Sequence, residues 1–238
     1  MSTYVMSDLH GCYDEFLEML DKIHFNQYDH LYINGDICDR GPKSIPLLQF
    51  IMAQSNMTVI LGNHDVWLRD YADYLIDLKN NRQKEPACYE LRLWMEANGG
   101  ASTIDQFLSL SNPECYDIKC YLESLNPYQN LKVQNHPYSL VHAGLGKEIK
   151  DYHLIPSLKE NTLVWCEEDL TANSLSNSTL IVGHVPTFIY GKQYENHIIH
   201  TDHDVFHIDG GCVFGRCLLC LRLDDQQEFS VPSKQVKP

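Results

Sequence analysis

Basic residues are scarce in this chain: 18 Lys and Arg stand against 32 Asp and Glu, a formal net charge of -14. That balance excludes a broad, sequence-independent grip on nucleic acid, which needs a basic face to displace counterions, and no stable nucleic-acid complex is expected. Acidity does not exclude anionic substrates, because bound divalent ions reverse the potential locally. Long apolar runs are missing too. No window approaches the roughly 18 apolar residues of a spanning helix, so no membrane association is expected. The opening Met1-Ser2-Thr3-Tyr4-Val5-Met6 has neither a basic n-region nor a long apolar h-region, which predicts a cytoplasmic protein. Linkers and low-complexity tracts are lacking, so 1–238 reads as a single domain around one large core. The nine cysteines are an odd number in a chain large enough to need no staples, which suits free thiols in a reducing compartment.

What is present begins as an alternation of strand and helix. Tyr4 to Ser7 reads as a strand, Tyr13 to Ile23 as a helix with Phe16, Leu17, Leu20 and Ile23 at helical spacing, and Leu31 to Asn34 as a second strand. Pro42 stands where a helix can start, with Ile45, Leu48, Gln49 and Met52 continuing it before a third strand at Thr58 to Leu61. Such crossovers build a parallel sheet, whose ligands bind beyond the carboxyl ends of the strands. From about 66 to 127 the pattern is mainly helical and predicts an inserted helical cap, with Asn98-Gly99-Gly100 ending one helix and Pro113 and Pro127 punctuating its latter part. The remainder returns to short β-runs at Leu131–Gln134, Tyr138–His142, Leu163–Cys166, Leu180–Val182, Val205–Ile208 and Cys217–Leu223. These suit a second mixed sheet packed on the first, an α/β four-layer sandwich of two mixed β-sheets flanked by helices. The polar, Pro-containing stretch 225–238 reads as a flexible tail.

Five polar clusters each follow a short apolar run: Asp8-Leu9-His10-Gly11, Gly35-Asp36-Ile37-Cys38-Asp39-Arg40-Gly41, Gly62-Asn63-His64-Asp65, Val141-His142-Ala143-Gly144 and Gly183-His184. Strand exits deliver them to one edge, where their residue types suit metal-assisted hydrolysis of a phosphate ester. Two divalent ions about 3.5–4 Å apart need a shared ligand, and a carboxylate with two oxygens supplies one. Asp36 is the candidate bridge. Asp8 and His10, two apart in an extended segment, project to the same side and complete metal 1. Asn63, His142 and His184 balance metal 2 with an amide and two imidazoles. A bridging hydroxide is then the expected nucleophile, since metal binding brings the pKa of water towards neutrality. His64 is the candidate general acid, with Asp39 orienting its other ring nitrogen. Arg40 offers a planar fork of donors to a phosphate, and Asn63 lies where it also reaches substrate.

On these residues the chain resembles the bacterial branch of the phosphoprotein phosphatase family of calcineurin-like metallophosphoesterases. The pattern Asp-x-His-Gly, Gly-Asp-x-x-Asp-Arg-Gly, Gly-Asn-His-Glu, a later His-Ala-Gly and Gly-His-Thr is met at Asp8, His10, Asp36, Asp39, Arg40, Asn63, His64, His142 and His184, over most of the chain. The resemblance implies a metallophosphoesterase-like fold and dinuclear hydrolysis with manganese first, and iron, zinc, nickel or cobalt as alternatives. A phosphorylated protein or peptide is the expected partner, which makes serine/threonine protein phosphatase activity the first expectation. A small phosphoester, as in dinucleoside polyphosphate hydrolysis, is the second. A catalytically weak metal-binding interaction protein is the alternative of another class.

Three positions depart from the pattern. Asp65 stands for the usual Glu. Trp165-Cys166-Glu167 stands where relatives carry Trp-x-Arg, so Glu167 reverses the charge of a second phosphate-clamping arginine, for which Arg216 or Arg69 are the substitutes in reach of consideration. Gly183-His184-Val185-Pro186 retains the histidine of Gly-His-Thr-Pro. Cys212, Cys217 and Cys220 have a C-x4-C-x2-C spacing that suggests iron–sulfur or zinc. They are read instead as buried free thiols around a hairpin after Asp209, with Cys217 and Cys220 on opposite sides of its second strand. His197, His200, His203 and His207 read as a loop and strand near the site's rim, and Asp209 as a turn former or a support for the metal shell.

Overall fold

The computed structural model describes residues 1–82, 86–146, 149–171 and 175–235. In chain order the first half comprises β1 (Thr3–Met6), α1 (Tyr13–Lys22), β2 (His30–Asn34), α2 (Ser44–Met52), β3 (Met57–Ile60), α3 (Asn63–Lys79), α4 (Tyr89–Ala97), α5 (Gly100–Ser109) and α6 (Asn112–Glu123). Then come β4 (Tyr128–Val133), β5 (His136–Val141), α7 (Glu160–Trp165), β6 (Thr179–Val182), β7 (Ile199–His200), β8 (Val205–His207), β9 (Cys217–Arg222) and β10 (Gln227–Pro232), with short 3₁₀ turns between them.

Two five-stranded mixed sheets result, ordered β10-β9-β1-β2-β3 and β4-β5-β6-β8-β7. Strands β1, β2 and β3 run parallel, as do β5, β6 and β8, while β9, β10, β4 and β7 are antiparallel additions. Strand alternation sorts the core. Tyr4 and Met6 of β1, with Leu31 and Ile33 of β2, face the helices, packing on Phe16 and Met19 of α1 and Ile45, Leu48 and Ile51 of α2. Val5, Ile60, Leu140, Ile181, Phe206 and Leu221 point the other way and fill the space between the sheets. Leu180, Val182, Val205 and Val141 of the second sheet face outward onto Ile155 and Leu163. Helix, sheet, sheet, helix is the expected four-layer order.

The sheets are tied at their carboxyl ends. Asn34, the last residue of β2, is fully buried, and its Nδ2 donates to the Val141 carbonyl at 2.8 Å and the Ile181 carbonyl at 3.2 Å, both in the opposite sheet. The Asn34 carbonyl in turn accepts from Nδ1 of His142 at 2.9 Å. Buried polar groups left unpaired cost free energy, so this register is held.

The helices α3 to α6 occupy the stretch expected to be helical, and they join the helix-side core of the first sheet through Leu68, Leu75, Trp94, Ile104, Phe107 and Ile118. Three local expectations are corrected. Leu163–Cys166 is not a strand: Glu160–Trp165 forms α7, in which consecutive Leu163 and Val164 are both buried, a pattern that imitates a buried strand over so short a window. Val205–His207 and Cys217–Arg222 do not form a hairpin, since β8 and β9 belong to different sheets and the segment between them crosses over. Cys220 does pack on the helix side, opposite the inter-sheet Leu221. The tail is not free from 225: Gln227–Pro232 is β10, paired with β9 from Gln227↔Arg222 to Pro232↔Cys217, with Val231 buried. Glu228, Ser230 and Pro232 share the face opposite Phe229 and buried Val231 on an edge strand, where Pro232 is tolerated. Residues 236–238 lie outside the described part. Among the described residues no helix is long and apolar enough to cross a membrane.

His207, expected near the site's rim, is buried in β8 with neither ring nitrogen hydrogen-bonded, edge-on to Tyr190 at 5.3 Å. Burial lowers its pKa from 6.5 to about 4. Between these values the unfolded chain binds a proton that the folded chain refuses, so stability from this residue is present above pH 6.5 and is lost as pH falls towards 4. Urea unfolding of wild type against His207→Leu should show a difference that changes by up to about 3 kcal/mol across that window. A pH-independent difference would contradict it.

Candidate active site

All five polar clusters converge where the sheets are tied. The loop after β1 runs beside the loop after β2: the Asp8 N–H donates to Gly35 O at 3.1 Å, His10 to Asp36 O at 2.9 Å and Gly11 to Ile37 O at 2.8 Å. Asp8, His10, Asp36, Asp39, Arg40 and His184 all take positive φ, between 40° and 76°. Left-handed backbone is costly for residues with a Cβ and persists where surrounding contacts impose it. Two glycines allow the crowding. A Cβ on Gly62 would lie 2.3 Å from Asp36 Oδ1, and one on Gly183 would lie 2.2 Å from Asp8 Oδ2.

Asp36 is central. Its Oδ2 lies 3.5 Å from His10 Nε2, 3.4 Å from His142 Nε2 and 4.0 Å from His64 Nε2. Burial opposes its ionisation, yet His142, His64 and His10 hold its carboxyl well below the ordinary range. Two groups able to hold a cation share this residue, His10-Asp36-His64 and Asp36-His142-His184, each with ligand atoms within 4.8 Å of one another. Asn63 Oδ1 accepts from His142 Nε2 at 2.9 Å and His184 Nδ1 at 3.0 Å. Asp8 Oδ2 accepts from the His184 N–H at 3.0 Å, while its Oδ1 is buried with no partner. That orphaned oxygen, beside imidazole nitrogens, an amide oxygen and a second carboxylate, is a donor set suited to divalent ions.

The tautomers agree with this. His10 Nδ1 donates to Cys38 O at 2.7 Å, which leaves the Nε2 lone pair free, and Arg40 donates to that Nε2. Burial, then Arg40, lowers the His10 pKa, so the ring is neutral. Burial, then His142, lowers His184 to about 4. His142 differs: burial opposes its charge, but Asp36 raises it to about 10, and both its nitrogens face acceptors. A cation at this ring therefore displaces a proton. Burial, with Asp36 adding repulsion against the pull of His142, raises Asp8 to about 6.

His64 sits in the first turn of α3, and its Nδ1 donates to Asp39 Oδ2 at 2.6 Å. The same oxygen accepts from the indole Nε1 of fully buried Trp94 at 2.6 Å. Asp39's own N–H donates to Ser44 Oγ and Thr103 Oγ1 at 3.0 and 2.9 Å, and Arg40 N–H to Gly99 O at 3.0 Å. Asn98-Gly99-Gly100 thus does more than end a helix. A Cβ on left-handed Gly99 would lie 2.7 Å from Arg40 Cγ, and one on Gly100 2.4 Å from the Trp94 nitrogen.

Asp65, which stands for the usual Glu, accepts from the N–H groups of Asp36, Ile37 and Gly62 at 2.9, 3.0 and 3.2 Å, and so holds the loop that carries Asp36. Burial, then Asp36, raises it to about 7. Glu167 is exposed, and its charge is felt by Tyr190. The adjacent Glu168 turns inward, and its Oε2 accepts from the Leu145 N–H at 2.8 Å beside the His142-Ala143-Gly144 loop. Both substitute arginines are paired with carboxylates outside the five clusters: Arg69 is held by Glu160 through two 2.8 Å bonds, and Arg216 pairs with Glu195 over the Phe188 ring. An aromatic step leads outward, from His64 to Trp67 at 5.0 Å and from Trp67 to Trp165 at 5.2 Å, with Trp165 39% exposed and 6.2 Å from His184.

A family model described as calcineurin-like phosphoesterase matches residues 1–211. The chain belongs to this family. Members of this family use divalent metals. A protein of Haemophilus ducreyi named bis(5'-nucleosyl)-tetraphosphatase, symmetrical, is 35% identical over 153 residues, covering 62% of this chain and 47% of that protein. The chain thus spans about half the length of that relative. One of the same name from a Marinomonas strain is 26% identical over 276 residues, 98% of this chain and 97% of that protein. Among solved structures, a putative diadenosine tetraphosphatase superposes with TM-score 0.64 at 19% identity over 97% of this chain and 93% of that one. A protein serine/threonine phosphatase of Saccharomyces cerevisiae superposes with TM-score 0.57 at 14% identity over 100% and 81%. At these identities the structures speak for the fold alone.

The residues that motif reading passed over are Trp94, Thr103, Ser44, Gly99 and Glu168. Each holds a motif residue or, for Glu168, the residue that follows one, and the two from α4 and α5 lie more than fifty residues from their partner Asp39. A fully buried Trp with its N–H unassigned was the available signal. Trp94→Phe keeps an aromatic ring in this buried position, with a smaller volume, and removes the donor to Asp39. Metal-dependent turnover of an aryl phosphate should fall about tenfold with unchanged circular dichroism, the worth of one hydrogen bond to a charged group. Unchanged turnover would show that the indole only fills space.

Proposed function

We propose that this chain hydrolyses dinucleoside tetraphosphates at the centre of the phosphate bridge, water adding to release two nucleoside diphosphates. Support comes from the relatives of that name in Haemophilus and Marinomonas. From the chain's own residues, the carrying observation is the step His64-Trp67-Trp165, whose exposed outer ring offers a stacking face to a nucleobase next to the polar cluster. Any base stacks on such a face, for roughly 1–3 kcal/mol. Protein serine/threonine phosphatase activity, the first expectation from sequence, moves to second place, because its support is a likeness of fold.

In this reading Asp8, His10, Asp36, Asn63, His142 and His184 hold two divalent ions, with manganese the first expectation. When bound, the ions supply charge neutralisation and an activated water. His10 Nε2, to which Arg40 now donates, would be the ring's ligand atom, and the Arg40 guanidinium would then be available to offer its fork of donors to the phosphate chain. Asn63, whose amide oxygen lies between two imidazoles, keeps an N–H₂ to offer substrate. Asp39 fixes the Nδ1–H tautomer of His64, so that a second proton on Nε2 makes an imidazolium able to protonate the departing diphosphate oxygen.

Purified protein with manganese should convert a dinucleoside tetraphosphate to nucleoside diphosphates, read by chromatography. His64→Asn should lose about 10²–10⁴-fold in turnover, and Trp165→Ala should raise KM for the dinucleotide about tenfold. Preference for a phosphopeptide by a large factor would reverse the order of the two enzyme readings. Metal binding without turnover of either would favour an interaction protein.

A further inference from the structure

We propose that Cys12, Glu15 and Cys212 form a separate binding site for one thiophilic divalent cation of the zinc type. The three are fully buried, and their ligand atoms lie within 4.8 Å of one another. They come from two distant parts of the chain. Cys12 caps the start of α1, Glu15 sits in that helix's first turn, and Cys212 opens the 3₁₀ turn after left-handed Gly211.

The second observation is the state of Glu15. Its Oε1 accepts from the Lys234 N–H at 2.7 Å and from Gln235 Nε2 at 2.9 Å, whereas Oε2 is buried with no partner. A carboxylate oxygen withdrawn from water without a hydrogen bond is costly, and here the carboxylate that carries it belongs to a cluster with two free thiols. A bound cation resolves that cost. Zinc holds thiolate sulfur at about 2.3 Å and carboxylate oxygen at about 2.0–2.2 Å, which sets tetrahedral ligand atoms roughly 3.5–3.8 Å apart, inside the 4.8 Å limit within which these three lie.

The step balances in charge. A divalent cation displaces two thiol protons to solvent and binds two thiolates and one carboxylate, leaving one net negative charge. The N-terminal end of α1 and the two donors on Oε1 offset it. A fourth position remains for water. The donor set separates this site from the oxygen- and nitrogen-lined cluster at Asp36, since sulfur selects softer ions. Its position gives it a structural consequence. Cys12 directly follows the loop bearing Asp8 and His10, Cys212 follows Asp209, and Ser233–Gln235 lie across Glu15, so the cation would fasten the first metal loop to the crossover and to the chain beyond β10.

Cobalt tests this with a readout independent of activity. Reduced full-length protein, stripped of metal and then held in excess Mn²⁺ to fill the cluster at Asp36, should on titration with Co²⁺ develop a thiolate-to-cobalt charge-transfer band in the near ultraviolet that saturates at one bound equivalent and is quenched by zinc. Cys212→Ser and Glu15→Gln, each alone, should weaken that binding at least about tenfold, while His64→Asn should retain the band. If a variant fails to fold, wild type decides: with excess manganese and one equivalent of zinc, X-ray absorption should show two sulfur ligands. No charge-transfer band at saturating cobalt, zinc seen with oxygen and nitrogen ligands alone, or a Cys12–Cys212 disulfide in place of a bound cation would each overturn the proposal.

Discussion

Everything at the site depends on the alignment of two sheets at their carboxyl ends, and one buried amide sets it. Asn34 ends β2 and bonds across to the carbonyls of Val141 and Ile181, while its own carbonyl fixes the His142 ring. That tie, together with the bonds from His184 to Asp8 and from His142 and His184 to Asn63, fixes the first sheet's site residues relative to those of the second. A hydrophobic interface is non-directional and would tolerate sliding. The amide is directional and does not. The fold thereby brings four separate strand exits within reach of the Asp36 carboxylate.

The inserted helices α3 to α6 complete the arrangement from the other side. They bury Trp94 and Phe107 against the first sheet's helix layer and present Trp94, Thr103 and Gly99 to the loop of Asp39 and Arg40. Left-handed backbone at six site residues is affordable because packing and hydrogen bonds from both directions over-determine it. Asp65 acts in the same way, since its short side chain stays close to α3 and collects the N–H groups of Asp36 and Ile37. Asp65, in place of the usual Glu, thus serves the backbone of the loop that carries Asp36.

The sequence made the layered fold and the motif residues legible because both depend on local patterns: apolar runs of strand length, turn residues after them, and metal-type side chains in order. Where pattern was short or shared, reading failed. Leu163 and Val164 are buried in one turn of helix, which over two residues looks like a strand. Val231 and Phe229 are spaced as in an edge strand, but Gln, Glu, Ser and Pro around them hid β10. Contacts between distant segments were beyond reach of any motif, which is why Trp94 at Asp39, Glu168 at Leu145 and Cys212 near Cys12 emerged only from the fold. Glu167, whose charge is the reverse of the clamping arginine that the pattern leads one to expect, is exposed, and the nearby Trp165 is the side chain proposed to meet the substrate.

The central claim is that Asp36 joins two cation positions formed by His10 and Asp8 on one side and His142, His184 and Asn63 on the other. Anomalous diffraction from crystals grown with manganese tests it directly. The account predicts two peaks about 3.5–4 Å apart with the Asp36 carboxylate between them. A single peak, or two peaks with Asp36 bound to one or neither, would contradict it.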